Sequence, residues 1–180
     1  MEDNNDWQNK LCKEFPYLYR HRTVNFWDLF RSPTFGFECG PGWYNILRHA
    51  SICIMYEIKK SDKLWWFRPY LAMFTEAWNN IMFRQPNWMK RDHIFGKFPR
   101  FVLSYHFQGY AVSQIKEKYG TLRFYMNFET GEMSEITSMA ETLSEVTCEQ
   151  CGQIGRLRGK GWYYVSCNEH AREGDKDEET

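Results

Sequence analysis

The chain has 180 residues, of which 43% are hydrophobic, 18% aromatic and 26% charged, and its formal net charge is zero. An aromatic content this high excludes an intrinsically disordered protein, because disorder requires a scarcity of large apolar side chains. The longest apolar runs are far shorter than the ~20 residues of a membrane-spanning helix, and the acidic, polar start lacks the basic and apolar regions of a secretory signal peptide. We therefore expect a cytoplasmic globular protein without a membrane partner.

The first half of the chain is predicted to be mainly helical. Residues 10–19 can form a short helix that runs into Pro16, and residues 20–41, rich in Gly, Pro and aromatic residues, predict an irregular packed loop. Apolar residues recur at helical spacing over 43–60, which predicts a helix on which Cys53 is a small buried hydrophobe. A second helix with an aromatic face is predicted over 63–83, followed by loop and short elements over 86–109.

The second half changes period. Apolar and polar residues alternate over 110–116 and again over 121–128, and the connection at 117–120 contains Gly120, which predicts a β-hairpin. Residues 132–146 have apolar side chains at helical spacing and predict an amphipathic helix with Thr130 as its N-cap.

Three cysteines and a histidine near the C-terminus have the spacing of two zinc knuckles: Cys148-x2-Cys151, fifteen residues, then Cys167-x2-His170. Three thiolates and one imidazole satisfy a tetrahedral Zn²⁺, and because all four ligands come from the protein, the metal is predicted to be structural and not catalytic. Gly152 suits the tight turn of a knuckle. A disulfide framework is the weaker interpretation of the six cysteines, because such frameworks belong to short secreted chains.

These elements predict the α+β class, with a helical N-terminal part, a β-hairpin, an amphipathic helix and a C-terminal zinc ribbon. The predicted division is an aromatic-rich α+β domain at 1–146, the zinc ribbon at 147–171 and an acidic disordered tail at 172–180. The ribbon is expected to bind nucleic acid, to dock a protein, or only to staple a short segment to the fold.

Charge is segregated along the chain. Residues 84–123 hold eight Lys or Arg against two acidic residues, and residues 129–149 hold six Glu and no basic residue. Such blocks can steer a charged partner, although a solvated surface is the simpler explanation. The Trp65-Trp66 pair belongs either to the core or to an interface. The candidate contacts to a partner or nucleic acid are Arg156, Arg158, Lys160, Lys116, Lys118, Arg123, Trp65 and Trp66.

The sequence offers little support for catalysis. It contains no phosphate-binding loop and no recognisable nucleophile–base spacing. Gln114-x-Lys116 on a predicted strand is similar to part of a nuclease motif, and a cleft that joined these two residues with His106 would support a nuclease-like enzyme. We predict a protein with no catalytic residues and no small-molecule substrate.

Several motifs taken together resemble a family of small phage and prophage proteins of unassigned function: residues 39–43 (CGPGW), 114–125 (QIKEKYGTLRFY), 140–141 (AE), 147–152 (TCEQCG) and 161–162 (GW), with Cys167-x2-His170. The resemblance supplies no catalytic residues and implies an accessory protein that acts inside a bacterium. Such a protein is expected to bind a host macromolecular complex, such as a defence or nucleic-acid-processing system, and to inhibit or redirect it. A nucleic-acid-binding zinc-ribbon module is the alternative.

Overall fold

The computed structural model describes residues 6–19, 37–67, 70, 74 and 110–175. In this part of the chain the helices are α1 (Asp6–Glu14), α2 (Tyr44–Ser61) and α3 (Gly131–Ser144). The strands are β1 (Phe37–Glu38), β2 (Val112–Lys118), β3 (Thr121–Met126), β4 (Arg156–Arg158) and β5 (Tyr164–Ser166). Short 3₁₀ turns lie at Pro41–Trp43 and Glu173–Asp175. The mixture of helices and small sheets confirms the predicted α+β class.

Helix α1 begins and ends earlier than the predicted 10–19. It ends at Glu14 because Pro16 has no N–H to donate and disfavours helical geometry at the residue before it. The chain then turns, with the Tyr19 amide donating to the carbonyl of Phe15 (3.1 Å). The buried Tyr19 hydroxyl lies 2.8 Å from Ser51 Oγ, which joins this turn to α2.

Helix α2 confirms the predicted helix at 43–60 and forms the centre of the core. Its fully buried apolar side chains, Leu47, Ile54 and Ile58, follow helical spacing and continue from the buried Trp43 just before the helix. Cys53 is exposed, so its predicted burial is wrong. At ~100° per residue, Cys53 lies on the side of the helix away from the buried stripe.

The predicted hairpin at 110–128 is confirmed. Strand β2 pairs antiparallel with β3, with Lys116 opposite Arg123. Tyr119 and Gly120 in the connection both have positive φ (55° and 83°), the geometry of a tight hairpin turn that matches the twist of the strands. Strand β1, missed within the predicted loop at 20–41, adds to β2 in parallel and is too short to show an alternating pattern.

Helix α3 confirms the predicted helix at 132–146 and covers the hairpin. The Thr130 side chain accepts a hydrogen bond from the Met133 amide (3.4 Å), as expected of its N-cap. The edge strand β3 donates two amides to side chains of α3: Leu122 to Ser144 Oγ (2.8 Å) and Phe124 to Glu141 Oε1 (2.9 Å). The helix therefore provides hydrogen-bond acceptors for the free amides of this edge strand and also covers one face of the hairpin.

The predicted helix at 63–83 falls only partly on described residues. Residues 63–67 form turns instead. The Asp62 side chain accepts a hydrogen bond from the Leu64 amide (3.0 Å), and the Asp62 backbone carbonyl accepts one from the Trp65 amide. Tyr70 and Phe74 are helical, and the rest of this prediction, with the loop predicted at 86–109, lies outside the described residues. None of the described helices has both the length and the apolar character needed to cross a membrane.

Candidate metal centre

The four predicted zinc ligands converge although they come from two separated segments. Cys148 and Cys151 lie in the loop that follows α3, and Cys167 and His170 follow β5. Their ligand atoms all lie within 4.8 Å of one another. The individual separations are 3.7 Å from Cys148 Sγ to His170 Nδ1, 3.7 Å from Cys151 Sγ to Cys167 Sγ, and 3.2 Å from Cys167 Sγ to His170 Nδ1.

Three of the six pairwise separations can be compared with those of a tetrahedral metal site. With Zn–S bonds of about 2.3 Å and Zn–N bonds of about 2.05 Å, a regular tetrahedron places sulfurs about 3.8 Å apart and a sulfur and nitrogen about 3.6 Å apart. Two of the three separations match these values closely, and the third is shorter by a few tenths of an ångström. The donor set of three sulfurs and one nitrogen is compatible with a metal such as zinc and leaves no coordination position for a substrate.

The thiols differ in how readily they ionise. Burial opposes the charged form of Cys148, but hydrogen bonds from the backbone of Cys167, Cys151 and Gln150 outweigh it and lower its pKa to about 7. At Cys151, the backbone hydrogen bond from Gln153 favours the thiolate, yet burial and the neighbouring sulfurs of Cys148 and Cys167 raise its pKa. A second thiolate in the cluster is therefore opposed by the first, and a bound cation would offset this repulsion.

Backbone hydrogen bonds shape the first knuckle. The Gly152 amide donates to the Cys148 carbonyl (2.9 Å), and the Cys148 amide donates to the Gln153 carbonyl (2.8 Å). Gly152 has φ +78°, the left-handed conformation expected of a glycine in this turn. The Glu149 amide donates to the Val165 carbonyl (3.2 Å), which links the knuckle to β5.

The segment 39–43 holds this knuckle against the core. The Gly42 amide donates to the Glu149 carbonyl (2.7 Å), the Gly40 amide to Glu149 Oε1 (2.8 Å), and the buried Trp43 indole N–H to the Thr147 carbonyl (2.9 Å). A methyl group at Gly42 would overlap the Cys148 carbonyl oxygen and lie 2.6 Å from the Gly152 amide nitrogen. The sequence predicted only a loop that ends at residue 41 and a helix that begins at residue 43, and it gave no sign of the contact between these glycines and the metal loop.

The Glu149 carboxyl is part of this contact. Burial raises its pKa, the Gly40 amide lowers it, and the nearby carboxylate of Glu117 raises it again, so the net shift is upward. Glu149 thus connects the metal loop to the Cys39–Trp43 segment through both its backbone and its side chain.

The basic candidates around the metal loop have different environments. Arg156 and Lys160 are exposed, but Arg158 is buried. Arg158 Nε donates to the Ser166 carbonyl (3.2 Å) and its Nη1 to the Asp175 carbonyl. The Arg158 guanidinium thus ties β4 to the segment after the second knuckle, and its contact with a partner stays a prediction.

The first residues of the predicted C-terminal tail contact β5. Tyr164 Oη donates to Asp175 Oδ2 (3.0 Å), and the Arg172 guanidinium lies 4.4 Å from the centre of the Tyr164 ring. Arg172 and Asp175, at the start of the predicted disordered tail at 172–180, thus contact Tyr164 on β5. Residues 176–180 lie outside the described part of the chain.

The basic candidates on the hairpin contact side chains of the hairpin itself and of α3. Lys116 lies over the Tyr125 ring and Lys118 over the Tyr119 ring, at 5.6 and 5.4 Å. Arg123 donates to Thr121 Oγ1 (2.7 Å) and lies 3.8 Å from Glu141.

The two tryptophans separate. Trp65 packs against the core, with its ring 5.0 Å from that of Tyr17, whereas Trp66 is exposed. Of the residues considered for a nuclease-like cleft, Gln114 and Lys116 are both half-buried on β2, and His106 lies outside the described residues.

Comparison of the chain with protein-family models, with curated proteins and with solved structures finds no match. The geometry of the metal centre and of the surfaces around it is therefore the basis for proposing a function.

Proposed function

We propose that Cys148, Cys151, Cys167 and His170 bind one structural Zn²⁺ as a zinc ribbon. The observation that carries this proposal is the convergence of four protein ligand atoms within 4.8 Å. Three thiolates favour zinc over harder cations, and a site filled by four side chains stabilises a fold and does not activate water. The division at residue 146 between the α+β domain and the ribbon stays a prediction.

A metal ion bound at this site would connect two separate loops of the protein. Zinc would join the loop after α3 to the loop after β5, and the Cys39–Trp43 segment binds the first of these loops to the core through three hydrogen bonds. Metal binding would therefore order the β4–β5 hairpin relative to the rest of the protein, since ligation energy of a structural site is folding energy.

We further propose a non-enzymatic interaction protein that binds a host macromolecular complex in a bacterial cell, and inhibits or redirects it. Large apolar side chains exposed near the metal loops support a binding role: Tyr119, Ile154 and Trp162. The step from binding to a host defence or nucleic-acid-processing system rests on the resemblance to small phage proteins.

Nucleic-acid binding is the second candidate, and one observation favours it. Exposed Lys160 lies two residues from exposed Trp162, and Lys118 is next to exposed Tyr119. Proteins that bind single-stranded nucleic acids combine such groups: the cation contacts a phosphate, and the exposed ring stacks on a base. The burial of Arg158 and the pairing of Arg123 reduce the positive charge available.

The zinc proposal is tested by native mass spectrometry of the purified chain and of two cysteine variants. We expect one zinc per wild-type chain, the same in Cys53→Ser, and a loss in Cys151→Ser. Both cysteines are exposed, so Cys53→Ser is a matched control for the loss of a surface thiol. Equal zinc content in the two variants would refute the ligand assignment.

The interaction proposal is tested by a tagged pull-down from bacterial lysate, with and without nuclease treatment, for the wild type, Cys53→Ser and Cys151→Ser. A stoichiometric protein that survives nuclease and is lost with Cys151→Ser alone would support a zinc-ordered protein-binding surface. Capture that disappears with nuclease would favour the nucleic-acid-binding module, whose affinity should then fall steeply with salt.

A further inference from the structure

An apolar stripe runs along the outer side of α3. Met139 and Leu143 on α3 are 65% and 48% exposed, and Val146, in the turn just after the helix ends at Ser144, is 55% exposed. Their spacing of four and three residues places all three on one side. This face lies away from the buried residues of the helix, Met133, Thr137, Ala140 and Ser144. The exposure is unusual because three large apolar side chains follow one another in a line.

The stripe continues into the metal loop. Thr147 Oγ1 donates to the Leu143 carbonyl (2.7 Å), and Thr147 is paired in a β-bridge with Ile154, which is 88% exposed. Ile154 lies three residues after Cys151, so the position of this end of the stripe depends on the conformation of the first knuckle. We define the α3 surface as Met139, Leu143, Val146 and Ile154.

The surroundings of the α3 surface are acidic. Glu132 and Glu135 extend the same helical stripe toward its N-terminal end, and four glutamates of the 129–149 block are exposed: Glu129, Glu132, Glu135 and Glu145. That block contains no Lys or Arg. Glu132 also stabilises the start of α3, where hydrogen bonds with its own amide and Thr130, and the positive charge of Lys60 on α2, lower its pKa. Glu135 and Glu145 have no such role at the helix start.

An apolar stripe flanked by acidic side chains favours some binding partners over others. A second copy of this chain would bring two acidic faces together, which like-charge repulsion opposes. A partner segment with an apolar stripe and Lys or Arg beside it would bury the same side chains and neutralise the glutamates. Met139 suits such a contact, because its flexible side chain adapts to different apolar shapes.

We infer that the α3 surface is a docking site for a basic amphipathic helix of a partner protein. This inference deepens the proposed interaction function and rests on it. The zinc site would contribute by fixing Ile154 at one end of the surface, while the apolar residues of α3 would bind the partner helix along its length.

The test uses a fluorescently labelled amphipathic peptide of Leu and Lys, with a Leu and Glu peptide of the same pattern as its control, and measures binding by anisotropy. We expect the Leu–Lys peptide to bind, and Leu143→Ser to weaken it about tenfold through loss of one buried leucine side chain. Leu64→Ser is the matched control, because Leu64 is also exposed (60%) but lies after α2. Both leucines are exposed, so neither change should prevent folding.

A second pair of variants tests whether the glutamates beside the stripe attract the basic peptide. Glu135→Lys should weaken the Leu–Lys peptide and flatten its salt dependence, whereas Glu38→Lys on β1 should do neither. The inference is overturned if the Leu–Lys peptide does not bind, if the Leu–Glu peptide binds equally well, or if Leu64→Ser weakens binding as much as Leu143→Ser. A concentration-dependent dimer that Leu143→Ser abolishes would assign the surface to a second copy instead.

Failure of this inference can be told apart from failure of the proposed function. If Leu143→Ser still binds zinc and still captures the wild-type partner from lysate, the α3 surface is the wrong site on a protein whose zinc-dependent interaction stands. If wild-type chain holds no zinc, the proposed function fails at its metal site, and the anisotropy measurements still report on the α3 surface alone.

Discussion

Replacing Gly42 with alanine should separate the metal loop from the core without removing a metal ligand. The added methyl group would overlap the Cys148 carbonyl oxygen and lie 2.6 Å from the Gly152 nitrogen and 2.7 Å from the Glu149 carbonyl carbon. All of these are backbone atoms of the knuckle, so no flexible side chain can move aside. Either the knuckle deforms or the two segments move apart.

The expected loss of stability can be worked out from the hydrogen bonds that would break if the knuckle and the Cys39–Trp43 segment moved apart. Three hydrogen bonds join the segments: Gly42 to the Glu149 carbonyl, Gly40 to the Glu149 side chain, and Trp43 to the Thr147 carbonyl. At about 1 kcal/mol of net stability each, their loss costs about 3 kcal/mol, and remaining in place would cost a comparable amount in overpacking. We therefore expect the free energy of unfolding to fall by about 3 kcal/mol.

The assay is urea denaturation of the zinc-loaded proteins, with hydrogen exchange over residues 147–155 as a local readout. Gly131→Ala is the matched control, because a methyl group there would meet no atom within 4 Å, and we expect it to change stability by less than about 1 kcal/mol. Gly42→Ala should keep its zinc while these amides exchange faster. Equal stability of the two variants would refute the docking of the knuckle on the Cys39–Trp43 segment.

Two further outcomes test the metal centre and its surroundings. Zinc affinity, measured by chelator competition, should fall at least about tenfold for each unit of pH lowered between pH 8 and 6, because the pKa of Cys151 is raised and zinc must displace its proton. The fall should be steeper below pH 7, where the Cys148 thiol, whose pKa is about 7, also takes up a proton. Affinity that does not change over this range would argue against thiolate ligation. Arg158→Ala should lower the free energy of unfolding by about 2 kcal/mol through loss of buried guanidinium hydrogen bonds, whereas Lys160→Ala, on an exposed turn, should change it by less than about 0.5 kcal/mol. Similar unfolding midpoints for these two variants would mean that the Arg158 guanidinium has no structural role.

Local features of the fold were predictable from sequence because each depends on neighbours along the chain. The spacing of Leu47, Ile54 and Ile58 specifies a helix with one buried face, and the alternation over 121–128 specifies a half-buried strand. The Thr130 side chain caps its helix by accepting a hydrogen bond from the amide three residues later. Where local signals competed, prediction failed at the boundary, as at the helix that ends before Pro16.

The metal ligands could be predicted for a similar reason. A pair of knuckles is built from two short motifs, each with its ligands three residues apart, so the sequence contains nearly all of the local geometry. Burial was harder to predict. Cys53 was misjudged and the burial of Arg158 was not foreseen. Residue type favours a buried cysteine and an exposed arginine, whereas packing and hydrogen-bond partners decide each case.

What the sequence by itself determined is therefore the class of elements, the hairpin turn and the candidate metal ligands. Only the tertiary structure placed the two glycines of the Cys39–Trp43 segment against the first knuckle, more than a hundred residues away in the chain. The same is true of the exposed stripe on α3, where periodicity identifies an apolar face but not whether another element covers it. Contacts between distant segments depend on how the elements pack together, and a single sequence contains no local signal for that arrangement.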